Sequence, residues 1–380
     1  MSLGKKVKGS FGAMFFGFVL IIVSIGGTWW NEGRTIKTHK GLEQGAKSVY
    51  SSPTIDYVSP ENDGKLVHVA GGVTTSDVLT DSDFGLEIPH LKLKRSVEMY
   101  QWKENKDTKK NENSEEKITT FSYKKVWSEK VRDSQKFNEA STHQNPTNKR
   151  FASFSKTASA ANIGAHALNP NQIGKLNNWA SLKIQEIGSV ENAQLINSEG
   201  KTTEIYVGET SLENPEIGDL RISYKAVYEG DYSVIAKQAG NTFEPFITDR
   251  GTTLDFVKSG IHSAENMFLE EISQNKFIKW MLRGLCFLLL FIGIRMLFSV
   301  ITLFTNQVPI LRSIVNFGIS LFAGIVAFCL FFIVAGIAWV FYRPVIGISL
   351  LVIGIGTLLF FSSKGKKLKS KITDNLVQQS

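Results

Sequence analysis

The groups most able to hold a cation are Asp77, Asp81 and Asp83, in the stretch T-S-D-V-L-T-D-S-D-F-G. Three carboxylates beside a glycine suggest Ca²⁺. The spacing lacks the third alternating ligand and the distal glutamate of an EF-hand loop. A solvated loop is the expectation. Asp83-Phe84-Gly85 spells a kinase triplet, but no Gly-rich loop, H-R-D or strand lysine accompanies it. His39, His68, His90, His143, His166 and His262 are scattered, with no H-x-H or H-E-x-x-H pair and no zinc spacing. There is no G-x-S-x-G and no Walker motif. The sequence therefore predicts no catalytic residue, no metal and no cofactor, and its expected class is not an enzyme.

Arg295 is the other chemically notable residue. It lies inside an apolar run, where an arginine at the bilayer centre costs about 2.5–3.5 kcal/mol on insertion scales. It could line a polar path with Ser299, Thr302, Asn316 and Ser320, or bind an anionic lipid head. It could also mark the end of its span near Phe298 and reach the membrane surface. No Asp or Glu lies in the predicted spans, which argues against a carboxylate proton relay.

The elements that position these residues are four apolar runs: Phe11–Trp30, Trp280–Phe304, Ile314–Tyr342 and Val345–Ser362. Runs of about 18 or more apolar residues are long enough to cross a bilayer as helices. Lys5, Lys6 and Lys8 precede the first run, and no A-x-A-like cleavage site follows it, so a retained signal anchor is expected. Trp29, Trp30, Lys279, Trp280 and Arg343 sit at run ends, where aromatic and basic side chains anchor helices in the interface. Ser320/Gly324 and Ala323/Ala327 place small residues four apart in the third run, which permits close helix approach within the chain or between copies. Pro344 closes a tight turn between runs three and four, so these should form an antiparallel hairpin. Residues 305–313 form the expected loop between runs two and three. An even number of spans puts both termini on one side. The tail at 363–380, with five lysines in Lys364–Lys371, marks that side as cytoplasmic.

Of 380 residues, some 250 lie between the first run and the second. Asn31–Lys279 is thus a large periplasmic or lumenal domain. Its alternating stretches Lys65–Val73, Leu91–Trp102, Ile118–Trp127 and Thr203–Val207 read as strands. The charged Lys103–Lys117 reads as a hairpin loop or solvated excursion. Glu229-Gly230-Asp231 predicts a β-hairpin between Leu220–Tyr228 and Tyr232–Lys237. Gly33, Gly41 and Gly45 argue against one long helix after the first span. The alanines of Lys156–Trp179 suggest a helix–turn–helix insert broken at Asn169-Pro170, resting on the core or on the membrane interface. Ser263 is placed to N-cap a helix running into the second span. The expected fold is an α+β membrane protein with four transmembrane helices, a β-rich antiparallel extramembrane domain and a helical insert.

Net charge is +8. Much of the excess flanks the apolar runs, which points to lipid headgroups and away from nucleic acid. Cys286 and Cys329, the two cysteines, both fall in spans, so the large domain has no disulfide framework. It also has no glycosylation sequon, as expected of a bacterial protein.

The stretch W-W-N-E-G-R at 29–34, with Lys37-Thr38 and Gly41-Leu42-Glu43-Gln44-Gly45, resembles the start of the transmembrane protein 43 (LUMA) family. G-K-L-V-H-V at 64–69, V-E-M-Y-Q-W at 97–102, P-E-I-G-D-L-R at 215–221 and F-Y-R-P at 341–344 extend the resemblance in family order. It implies four spans and a large lumenal or periplasmic domain. In animals it implies the endoplasmic reticulum and inner nuclear membrane, with self-association and lamin and emerin partners. In a bacterium it implies the inner membrane without those partners. The expected function is a membrane scaffold acting through self-association, as a homo-oligomer, and through envelope or membrane proteins and lipids. The alternative is a transporter or channel subunit built around Arg295.

Overall fold

A single helix, α1, runs from Leu3 to Ser48 through the first apolar run and beyond it. The computed structural model describes residues 3–52, 54–110, 117–197, 203–299, 301, 309–340, 345, 348–349, 352–357 and 359–360. Gly33, Gly41 and Gly45 do not break α1, contrary to the sequence expectation. A helical glycine costs about 1 kcal/mol against alanine, but packing repays Gly41, since a Cβ there would collide with the Thr252 side chain. Thr252 Oγ1 instead donates to the Lys37 carbonyl at 3.1 Å.

The chain divides into two compact units. The helical unit contains α1, the turn Ile247–Thr253, and the helices α3 (Ala264–Leu297) and α4 (Pro309–Val340) from Phe268 onward. Three helices among the described residues are long and apolar enough to cross a membrane. The expected fourth run lies partly outside the described residues. Within it Val352–Thr357 is helical, and a Cβ on Gly354 would touch the backbone of Ile333 and Cys329 at 3.2 and 3.3 Å.

α1 and α3 pack antiparallel in a seven-residue register. Gly17 and Gly293 cross so closely that a Cβ on either would stand 2.7–2.8 Å from the other's carbonyl. Seven residues on, Ser24 Oγ donates to the Cys286 carbonyl at 2.7 Å. Seven further, Asn31 Nδ2 donates to the Lys279 carbonyl at 3.2 Å. Small or polar residues every seventh position let the two backbones approach along a shared seam. Ala323 and Ala327 of α4, both fully buried, pack on Leu290 and Ile294 of α3. As expected, Ser263 caps α3, with its Oγ accepting from Asn266 N at 3.2 Å.

The second unit, Ser48–Phe246 with Leu254–Met267, is built of strands. In chain order these include β1 (Leu66–Thr74), β2 (Lys92–Lys110), β3 (Lys117–Ser128), β4 (Phe154–Thr157), β5 (Ala193–Asn197), β6 (Thr203–Val207), β7 (Leu220–Val227), β8 (Gly230–Ala239), β9 (Thr242–Glu244) and β10 (Phe256–Ser259). One sheet is centred on β8, which pairs with β1, β9 and β10. The other runs β5-β6-β7-β2-β3, with β4 also on β2. Pairing is mainly antiparallel, with short parallel contacts such as Tyr50–Ser51 along β1.

Three local expectations need correction. β7 and β8 do not form a hairpin; Glu229-Gly230-Asp231 carries the chain from one sheet to the other. Both strands are rich in buried residues and take other partners, so neither is free to pair with its sequence neighbour. Lys103–Lys117 is not mainly loop, because pairing continues to Lys110↔Lys117. Lys156–Trp179 is not helix–turn–helix. It holds β4, two short strands at Asn162–Ile163 and His166–Ala167, and one six-residue helix, α2 (Pro170–Lys175). Ala158 and Ala161 are small core residues here. Asn169-Pro170 starts the helix: the Asn169 side chain accepts from Gln172 N in a capping box, and Pro170 takes the first turn.

Candidate functional site

Glu32 closes the W-W-N-E motif and is fully buried in the helical unit. Arg283 of α3 grips it in a fork, Nε to Oε1 at 2.7 Å and Nη2 to Oε2 at 2.8 Å. The indole Nε1–H of Trp339, near the end of α4, also donates to Oε2. The guanidinium lies 4.7 Å from the Trp280 ring and 5.3 Å from that of Trp339. One carboxylate thus ties three helices together. A buried charge needs this geometry, since desolvation is offset only by bidentate pairing and satisfied lone pairs. Around it, Arg34 Nη1 donates to Asn275 Oδ1 at 3.1 Å, and Asn275 Nδ2 donates to the Thr35 carbonyl at 3.0 Å.

Of the residues expected to anchor in the interface, Trp280 lies against Arg283 of this cluster. Trp29, Trp30 and Trp280 are exposed at 47%, 59% and 58%, as lipid-facing rings would be. Lys279 Nζ sits 5.5 Å over the Trp280 ring. Arg343 lies outside the described residues. Ser320 donates to the Asn316 carbonyl within its own helix, and Ser320 and Gly324 share a shallow groove that Ala323 and Ala327 do not line. Arg295 is exposed in the last turn of α3, and Phe298 N donates to its carbonyl as the helix ends.

In the β unit the aspartates are drawn into structure. Asp81 is buried, so the solvated-loop expectation fails at this residue. Arg95 Nη1 reaches both Asp81 oxygens at 2.8 Å and Asp83 at 2.8 Å, and Tyr224 Oη donates to Asp81 at 2.6 Å. Burial opposes the Arg95 charge, but Asp83 and Asp81 prevail and raise its proton affinity. Burial and the Asp81 contact raise Tyr224 far above the ordinary phenol range. Asp77 faces elsewhere: it accepts from Ser159 Oγ and from the Ser159 and Ala160 amides, which lower its pKa.

Sequence reasoning missed Glu32, Arg283 and Trp339 as partners, and Arg95. Two signals were present. Arg95 sits on the face of β2 shared by Leu93, Val97 and Met99, where alternation calls for an apolar residue. Ser10, Gly17, Ser24 and Asn31 recur every seven residues in the first helix.

A helical unit suited to crossing a membrane, joined to a β-rich unit, defines a membrane protein of the α+β class. The sequence profile of the family described as Transmembrane protein 43 matches residues 99–344. The human Transmembrane protein 43 is 32% identical over 352 residues, covering 90% of this chain and 87% of the relative. The Pongo abelii protein of that name matches equally, and the Drosophila melanogaster homolog is 29% identical over 95% of this chain and 97% of its own. The chain belongs to the transmembrane protein 43 family. No solved structure matches it.

Proposed function

We propose that this protein is an integral membrane scaffold, with helices forming a fixed frame and the β-rich domain offering surface to other copies and partner proteins. The observation that carries this reading is how the buried charges are used. Glu32 is saturated by Arg283 and Trp339, and Asp81 by Arg95 and Tyr224. Groups committed to one another in this way hold a shape, whereas conduction or catalysis calls for groups open to a ligand. Arg295, on which a transport reading leans, is exposed in the last turn of α3, where a long side chain reaches the membrane surface.

The proposed topology has four spans, with 345–362 as the last, both termini cytoplasmic and the β domain periplasmic or lumenal. The membrane is the bacterial inner membrane in a bacterium, or the endoplasmic reticulum and inner nuclear membrane in a eukaryote. Trp29, Trp30, Lys279, Trp280 and Arg343 anchor the spans, and Ser320/Gly324 offers a face for another helix. Crosslinking in intact membranes, followed by mass measurement of the solubilised complex, tests the reading. A discrete homo-oligomer linked through the β domain is expected. A monomer without partners overturns it.

A further inference from the structure

Beside the Glu32 cluster, within the helical unit, lies a cavity of about 220 Å³. Lys276, Lys279, His39 and Asn275 give it a polar side, while Ile272 and Trp339 give it an apolar one. Its α1 residues, Thr35 to His39, lie five to nine positions past Trp30, or about 8–14 Å at 1.5 Å per residue. Trp339 marks its inner edge. That places the cavity at headgroup depth, just outside the aromatic belt.

The ionisable residues that line the cavity are Lys276, Lys279 and His39, with no carboxylate among the described lining residues. Glu32 is engaged by Arg283 and Trp339, and Glu43 stands 3.3 Å from His39. Lys276, Lys279 and Arg34 bring three cationic groups against them. Arg34 is held by Asn275, which lines the cavity, and its Nε is buried without a hydrogen-bond partner among the described residues. Cations over a polar floor, with the Trp339 indole on the bilayer side and Ile272 closing the outer side, match a phosphate carried on an acylated glycerol.

We propose that this cavity binds the phosphodiester headgroup of an anionic phospholipid. Lys276 and Lys279 pair with the phosphate, Trp339 packs on the glycerol and first methylenes, and Ile272 bounds the headgroup on the outer side.

The test is native mass spectrometry of the full chain in neutral detergent, titrated with phosphatidylglycerol or with phosphatidylcholine of the same acyl chains. One phosphatidylglycerol should be retained with a preference of about thirtyfold, as two lysines near a headgroup provide. Lys276→Gln/Lys279→Gln should bring the ratio close to one. Ile272→Trp, which fills the cavity and keeps both lysines, should also lower phosphatidylglycerol retention. That variant separates a pocket from general surface attraction, and size-exclusion profiles show that each variant is folded. Equal retention of the two lipids, or full retention by either variant, overturns the proposal. Inorganic phosphate that binds alone and displaces the lipid assigns the cavity to a soluble phosphate and overturns the lipid reading.

Discussion

At the scale of single residues, pairing decides what a buried charge does. Glu32→Gln keeps the shape of the side chain but leaves Arg283, 12% exposed, without its counter-charge. Removing one partner of a buried pair costs about 3–5 kcal/mol. Thermal unfolding in detergent should show a large loss, and Glu32→Gln/Arg283→Met should recover much of it in a double-mutant cycle. Equal melting of Glu32→Gln and wild type would show that the pair contributes nothing. His68 and His166 carry a pH dependence. Burial lowers both below the ordinary imidazole value of 6.5, and a backbone contact to His262 only partly offsets this at His68. Below about pH 6.5 the unfolded chain binds protons that the folded chain refuses. Their contribution is therefore full above about pH 6.5 and falls as the pH drops toward the folded-state values. Melting between about pH 7.5 and 5.5 should reveal this loss, and His68→Gln or His166→Gln should shrink it. Variants that lose stability as steeply as wild type would contradict the assignment. These residues were only half legible in the sequence: the chain names Glu32 and Arg283 but not that they meet, since 251 positions separate them.

At the scale of elements, the α1–α3 seam rests on small residues in heptad register. Gly293→Leu would drive a side chain into the Gly17 carbonyl and the Ile21 side chain. Gly284, on the same helix, has open space around it, with nothing within 4 Å of where a Cβ would stand. Gly284→Ala should therefore leave stability unchanged or raise it by up to about 1 kcal/mol. A clear fall in melting temperature is expected for the first variant alone, and equal effects would refute the seam. Strand positions were readable because alternation between apolar and polar residues is local. Strand partners were not. The short link between β7 and β8 looks like a hairpin turn, yet each strand is buried by neighbours from distant sequence. The alanines at 158 and 161 suit a helix by propensity, and burial in a β core overrode that preference.

At the scale of the whole molecule, the span count sets which compartments the termini share. With Cys286→Ala and Cys329→Ala as background, single cysteines introduced by Ser2→Cys and Ser380→Cys can be labelled with a membrane-impermeant maleimide in sealed vesicles. Four spans require both to react from the same side. Labelling from opposite sides would mean an odd number and would remove 345–362 as a span. The family membership rests on a profile match over residues 99–344, which takes in most of the β unit together with α3 and α4, and on relatives aligned over 90% of the chain.

What the sequence determined by itself was the membrane character, the strand-rich middle and the family. All three depend on runs, alternation and short motifs, which are properties of neighbouring residues. Only the tertiary structure decided that α1 continues through three glycines, that β7 and β8 part company, and that Glu32, Arg283 and Trp339 form one cluster. Each of these depends on free energy gained between residues far apart in the chain: a glycine admits a distant threonine, a strand takes a better-buried neighbour, and a buried carboxylate needs a guanidinium from another helix.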